Sequence, residues 1–184
     1  MRRLLGLAVV CGWQAHPFNS PGFIKAFDTE SAQTTELLRI SSLVSAPRPS
    51  WDDRWIAFYQ LLDPIHSRIF VAPVHNGAVT EESEFIAVSD GATYDLLPEF
   101  SPGGQLLYFF SQRDGARCLW AQRLNPATKR PLGEPFAVQH FHSARVSPLF
   151  VKAGQRAISV ARDKIVITMD ERVGNVWMSD FGAR

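Results

Sequence analysis

Two cysteines, Cys11 and Cys118, leave room for one disulfide at most, so no disulfide framework holds this chain together. Cys118 lies inside an apolar run, where a small buried free thiol is the expected state. An excess of charge of one sign is also lacking. Nineteen Lys and Arg against 18 Asp and Glu give a net charge of +1, which carries no signature of a nucleic-acid or membrane-surface partner. No apolar stretch approaches the roughly 18 residues of a spanning helix, so no membrane span is expected. Residues 1–10 (MRRLLGLAVV) have the outline of a short signal peptide, but no A-x-A site follows and Val10 is a poor residue before a lipidated Cys11. A buried strand is expected there instead. Catalytic fingerprints are missing as well: there is no G-x-S-x-G elbow, no G-x-x-x-x-G-K-[ST] loop and no G-x-G-x-x-G. The 184 residues leave no room for a separate hydrolase, kinase or winged-helix domain, and no cofactor is expected.

What the chain has is bulk and punctuation. Thirteen Phe and five Trp supply a large core, and 12 Gly with 12 Pro fall between short apolar runs. The stretch 101–124, SPGGQLLYFFSQRDGARCLWAQRL, reads as a turn, a strand, an Asp-Gly hairpin turn and a returning strand. About fifty residues earlier, 50–74 (SWDDRWIAFYQLLDPIHSRIFVAPV) has the same grammar with few identities. Ser50-Trp51-Asp52-Asp53 stands for the SPGG turn, Trp55–Tyr59 for Gln105–Phe109, and Ile69–Ala72 for Leu119–Gln122. A fourth strand follows each time, at residues 85–88 (FIAV) and 135–138 (PFAV). Weaker copies lie at both ends. Residues 4–10, 23–28 and 36–40 suit second, third and fourth strands. Residues 159–167 suit a turn and second strand, and 175–180 a third, after an insertion of about seven residues in 139–155.

A period near fifty with four short strands per period predicts an all-β fold, a β-propeller of four-stranded antiparallel blades. The approximate blades are 1–45, 46–92, 93–140 and 141–184. Three to four blades are present, the first beginning at its second strand and the last stopping at its third, so the propeller is expected to be incomplete or open. Phe70, Trp120 and Trp177, one in each third strand, are expected to fill the space between blades.

The pattern S-P-G-G-x-L-L-Y-F-x-S-x-R-D-G, followed by an apolar pair with Trp, resembles the WD-like "S-P-D-G" propeller repeat. That repeat occurs in the Tol–Pal propeller component of Gram-negative bacteria and in prolyl-oligopeptidase-type enzymes. Residues 113–138 and 175–178 are similar to C-terminal propeller segments of large bacterial sensor proteins. The resemblance covers residues 46–181 well and the first 45 loosely. Trp51-Asp52-Asp53 in place of P-D-G, and Gly103 in place of Asp, depart from the pattern at turn positions. The resemblance implies a scaffold, and a periplasmic setting with a cytoplasmic one as the alternative; it specifies no reaction.

The leading expectation is therefore a non-enzymatic propeller module that binds protein or peptide, a fragment of a larger sensor or Tol-like protein, with self-association as a way to complete the ring. The loops at 63–67, 112–117 and 125–131 would display His66, Arg113, Asp114, Arg117, Lys129 and Arg130. Arg113 and Asp114 read as solvated turn residues, with pairing across their hairpin as the alternative, and Lys129-Arg130 reads as a solvated loop. The alternative is a ligand- or metal-binding propeller associated with a prolyl-oligopeptidase-type hydrolase. His140 and His142 share one face of an extended strand and could meet one metal, but no third ligand is apparent, and a surface loop pair is the plainer reading. Asp52-Asp53 reads as a turn device and not a calcium site. No metal or catalytic residue is assigned. Convergence of His140 or His142 with carboxylates in an axial pocket would favour the alternative; the leading expectation has none.

Overall fold

Each apolar run bounded by turn residues becomes a strand. The computed structural model describes residues 22–28, 31–75, 81–143, 145–148, 157–171, 173–174 and 178–179, and the backbone of 7–13 and 78–79. Strands β1 (Leu7–Trp13), β2 (Gly22–Asp28) and β3 (Thr34–Ile40) form the first antiparallel sheet in the order β1-β2-β3. The second contains β4 (Val44–Pro49), β5 (Trp55–Leu61), β6 (Ser67–His75), β7 (Ala78–Val79) and β8 (Ile86–Ala87), with β7 and β8 both paired to β6. A 3-10 turn, Glu82–Glu84, precedes β8. The third sheet, β9 (Leu96–Phe100), β10 (Leu106–Ser111), β11 (Cys118–Arg123) and β12 (Phe136–Gln139), is a four-stranded meander. The fourth copy survives as two strand pairs, β13 (Val146–Pro148) with β16 (Met169–Glu171) and β14 (Ile158–Val160) with β15 (Ile165–Ile167). Its expected third strand at 175–180 falls mostly outside the described residues, as does Trp177. The chain is all-β, and its blades form an open arc.

The two middle blades repeat because one serine repeats. Ser50 and Ser101 each make the same bonds across their turns. The Ser50 hydroxyl accepts from the Trp55 N–H at 3.1 Å, and the Ser101 hydroxyl from the Leu106 N–H at 3.0 Å. Backbone bonds run from Asp53 N to Ser50 O at 3.0 Å and from Gly104 N to Ser101 O at 2.8 Å. The fourth turn residue is left-handed in both, Asp53 at φ 57° and Gly104 at φ 65°. Asp52 accepts from the Ser50 hydroxyl and the Arg54 N–H, the turn role expected of it. These bonds correct the expected alignment by one residue: Trp55 is equivalent to Leu106, not Gln105, and buried Phe58 to buried Phe109. The compensating residue lies in the next loop: the equivalent pairs Trp55↔Pro73 and Leu106↔Arg123 show that the connection from β5 to β6 is one residue longer than that from β10 to β11.

The first strand of each middle blade carries a second repeated device. Ala46-Pro47-Arg48 and Leu97-Pro98-Glu99 occupy equivalent positions, with Ala46 and Leu97 at φ 48° and 55° and a register shift beside each. Proline fits because the bulge has already removed a ladder bond. The two copies carry opposite charges, and Arg48 Nε meets Glu99 Oε2 at 3.0 Å between blades.

Three apolar clusters fill the successive gaps between sheets. Ile24, Leu38, Val44, Ile56 and Phe58 join the first sheet to the second, with Phe70 and Phe85 packed on them; the Phe58 and Phe85 rings meet edge-on at 5.3 Å. Ala57, Ile69, Val71, Phe100, Leu107 and Phe109 join the second to the third, with Trp120 against them. Phe110, Leu119, Ile158 and Val160 join the third to the fourth. Phe70 and Trp120 thus take the inter-blade places expected of them. Each buried Phe here represents about 3–5 kcal/mol on truncation to Ala, so stacking of blades, not any blade alone, carries the stability.

Candidate functional site

Antiparallel strands put successive turns at opposite ends of the blades, and this splits the expected loops. The loops at 63–67 and 112–117 lie at one end, whereas the loop at 125–131 lies at the other, with the Ser50 and Ser101 turns. At that second end a cleft of about 510 Å³ opens between repeats. Trp51, Ser101, Gly103, Tyr108, Val160 and Arg162 line it, so the turns of three successive copies contribute. Trp51 is 63% exposed, an unusual state for a large aromatic held on a rigid turn.

Most of the expected display residues are engaged in the fold. Lys129 corrects the expectation of a solvated loop: it is 4% exposed, and its ammonium donates to the Gly104 carbonyl at 2.8 Å, tying the loop to the neighbouring turn. Burial lowers its pKa, partly offset by the nearby Asp52 carboxylate. Its neighbour Arg130 is exposed. Arg113 pairs with Asp95, at 3.2 Å, and not with Asp114; Asp95 is fully buried and also accepts from the Thr93 hydroxyl. The Arg113 guanidinium lies 5.0 Å from the Trp120 ring centre and 5.4 Å from that of Phe109. His66 Nδ1 sits 2.6 Å from Asp63 Oδ2, and that hydrogen bond lowers the Asp63 pKa. Arg117 is half-buried beside Tyr94, whose hydroxyl pKa is raised by burial and drawn back by the Arg117 charge. Asp95 carries no sequence signal of its own, being an isolated acid before an apolar run.

Asp114 gathers the residues that sequence reasoning left apart. The Gln112–Gly115 turn, closed by Gly115 N–H to Gln112 O at 2.9 Å with Gly115 at φ 86°, holds Asp114 over the start of β11. Asp114 Oδ2 accepts from His140 Nδ1 at 2.8 Å and His142 Nε2 at 3.0 Å. Between them the Phe141 N–H donates to Cys118 Sγ at 3.2 Å, and the Phe141 ring turns inward to the cluster between the third and fourth sheets. Cys118 is a buried free thiol, as expected. Burial pushes the Asp114 carboxyl up, but the His142 and His140 hydrogen bonds outweigh it and bring it down to about 2. Burial pushes the Cys118 thiol up. The carboxylate convergence expected only by the alternative is therefore present, but at the loop end of its blade, where the segment after β12 meets the β10–β11 turn, and not in an axial pocket.

No protein-family model matches the chain, and no curated protein matches it. Solved structures do. The TolB protein of Acinetobacter baumannii matches at 16% identity with a TM-score of 0.52, over 77% of this chain and 32% of that one. A puromycin-hydrolysing peptidase of Mycobacterium tuberculosis matches at 18% identity with a TM-score of 0.62, over 89% of this chain and 26% of that one. The chain spans about a third or less of the length of these two structures. Among the described residues no helix is long and apolar enough to cross a membrane. At these identities the likeness is one of fold, and the fold of this chain is that of an open β-propeller.

Proposed function

We propose that the chain is a non-enzymatic propeller module that binds a protein segment or peptide at the end of the blades marked by Trp51. One observation carries this reading: the turns of three successive copies meet around a cleft of about 510 Å³ with a 63% exposed Trp at its edge. The turns are held by serine hydroxyls and by Lys129, so their positions are fixed before a partner arrives and little entropy is lost on docking. Aromatic and aliphatic walls with Arg162 suit an extended segment that offers an apolar side chain and an acidic group. Self-association that completes the ring belongs to the same reading, and light scattering on the purified chain reads it; a strictly monomeric mass removes that part.

Selection from a displayed peptide library on the whole chain tests the binding role. An anchoring Trp contributes about 2 kcal/mol or more, so Trp51→Ala is expected to weaken a selected peptide roughly 30-fold. Peptides that bind Trp51→Ala and Arg162→Ala as well as the parent chain would move the partner away from this end. A second reading follows from the peptidase likeness, which covers 89% of this chain: the chain is the propeller portion of a longer hydrolase. On that reading the cleft serves substrate choice, and the selected peptides are cleaved by the longer protein.

A further inference from the structure

We propose that Asp114, Cys118, His140 and His142 form a site for one soft divalent transition-metal ion, with zinc as the expected occupant. Their donor atoms, one oxygen, one sulfur and two nitrogens, all lie within 4.8 Å of one another. The chain pattern that brings them together is specific. The Asp-Gly turn carries Asp114 back over Cys118, the first residue of β11. The pairing of β12 with β11, through Leu119↔Gln139, then returns His140 to the same place. Phe141 is anchored inward and the Phe141 N–H holds the Cys118 sulfur, so His140 and His142 flank it as i and i+2 residues and turn outward together. Three different segments supply the ligands, and only the His140-Phe141-His142 pair carries a metal-like spacing in the sequence.

The geometry fits a four-coordinate ion. Zinc binds nitrogen and oxygen at about 2.0 Å and sulfur at about 2.3 Å, so tetrahedral ligand atoms stand roughly 3.3–3.7 Å apart. The imidazole–carboxylate contacts, now 2.8 and 3.0 Å, lengthen slightly on ligation, and the widest separation closes by about 1 Å. His140 and His142 are 52% and 56% exposed, so rotation about their side-chain bonds supplies the movement without disturbing the core. Asp114 Oδ1 is buried without a well-formed hydrogen bond, and beside the two imidazoles only the Cys118 thiol and the Ala116 N–H help to hold the carboxylate. The donor set sets the selectivity: thiolate and imidazole prefer zinc, cobalt or copper, whereas calcium and magnesium take oxygen. On binding, the thiol proton of Cys118 passes to solvent as sulfur takes the metal, and one thiolate with one carboxylate neutralises the ion. The bound metal would clasp the 112–117 loop to the segment that leaves β12 towards the fourth copy, a structural role distinct from the peptide cleft at the other end.

Cobalt is the probe. The whole chain, stripped with a chelator, is titrated with Co²⁺ and followed by absorption, with circular dichroism as the folding control. The expected result is one equivalent bound with the intense visible bands of a tetrahedral site and a thiolate-to-cobalt charge-transfer band in the near ultraviolet, all displaced by zinc. Cys118→Ser should lose the charge-transfer band. His142→Ala should weaken binding about 100-fold or more, since even outer-shell losses cost 10–100-fold. Because Cys118 is buried and its variant could misfold, the exposed pair His140→Ala and His142→Ala decides independently. Zinc should raise the melting temperature of the parent chain and leave that of the His140→Ala/His142→Ala variant unchanged. Octahedral, weak or non-saturating cobalt spectra, or spectra unchanged in the folded double variant, would overturn the site and leave Asp114 as a hydrogen-bond acceptor for two histidines only.

Discussion

Replacing Arg113 by Met separates a docking role from a structural one. The side chain lies in a loop, is 21% exposed, and has the look of a display residue. Its partner Asp95, however, is fully buried, and the guanidinium reaches it at 3.2 and 3.3 Å while lying against Trp120 and Phe109. Removing one member of a buried pair costs about 3–5 kcal/mol, because a carboxylate is left without its counter-charge. Partial exposure of Arg113 and the surviving Thr93 bond place this case near the lower end, about 3 kcal/mol. For a chain of this size that corresponds to a fall in melting temperature of roughly 6–12 °C. The assay is urea unfolding of the parent, Arg113→Met, Asp95→Asn and the double variant. Asn keeps the shape and the Thr93 bond but removes the charge, so the double variant should recover about 2 kcal/mol of the single loss. A loss under about 1 kcal/mol for Arg113→Met, with no coupling to Asp95, would falsify the structural assignment and return Arg113 to the list of partner-binding residues.

Two further outcomes rest on local geometry. The Asp114 pKa of about 2 and the lowered Asp63 pKa are depressed relative to an unfolded carboxylate near about 4. Both therefore contribute stability that is present above about pH 4 and is lost as pH falls through the folded-state pKa, which for Asp114 is about 2. Unfolding free energy measured across that window should slope less in Asp114→Asn than in the parent, and equal slopes would count against the His140–Asp114–His142 arrangement. Gly104→Ala forces an L residue to φ 65° and sets its Cβ 2.9 Å from Lys129 Nζ, so it should cost about 2–4 kcal/mol by denaturant titration, whereas Asp53→Gly at the matching turn should be neutral or stabilising. A Gly104→Ala loss under about 1 kcal/mol would show that Lys129 does not fix that turn.

The blades were legible because their cause is local. A serine that caps its own turn, a left-handed residue three places on and an apolar run after it all lie within ten residues, so they leave a pattern in the text at positions 50–59 and 101–110. The first strands of the two middle blades carry a weaker mark, Pro47 and Pro98, because proline argues against a strand until the bulge beside it is known. The side-chain clusters were hidden for the opposite reason. Arg113 finds Asp95 eighteen residues back, and Asp114 finds His142 twenty-eight residues on, by routes that depend on strand register. A register shift between Leu119 and Trp120 lies on the second route, and nothing in the residues announces it.

This difference in range bears on where a partner should be sought. Charged residues in blade loops are drawn into the fold because each blade has too little apolar surface to seal its own ends. Lys129 closes one turn, Arg113 covers a buried acid, and His66 and Asp114 are each held by a neighbour. A partner binding to these residues would have to break bonds that stabilise the arc, and would lose about as much as it gained. Arg130 and the Trp51 turn are in a different position. Trp51 is exposed on a turn whose hydrogen bonds are made by Ser50 and Asp52, so its indole can be covered without uncovering anything else. The end of the blades that carries fewer of the charged loop residues first suggested by the sequence is thus the end with binding surface to spare.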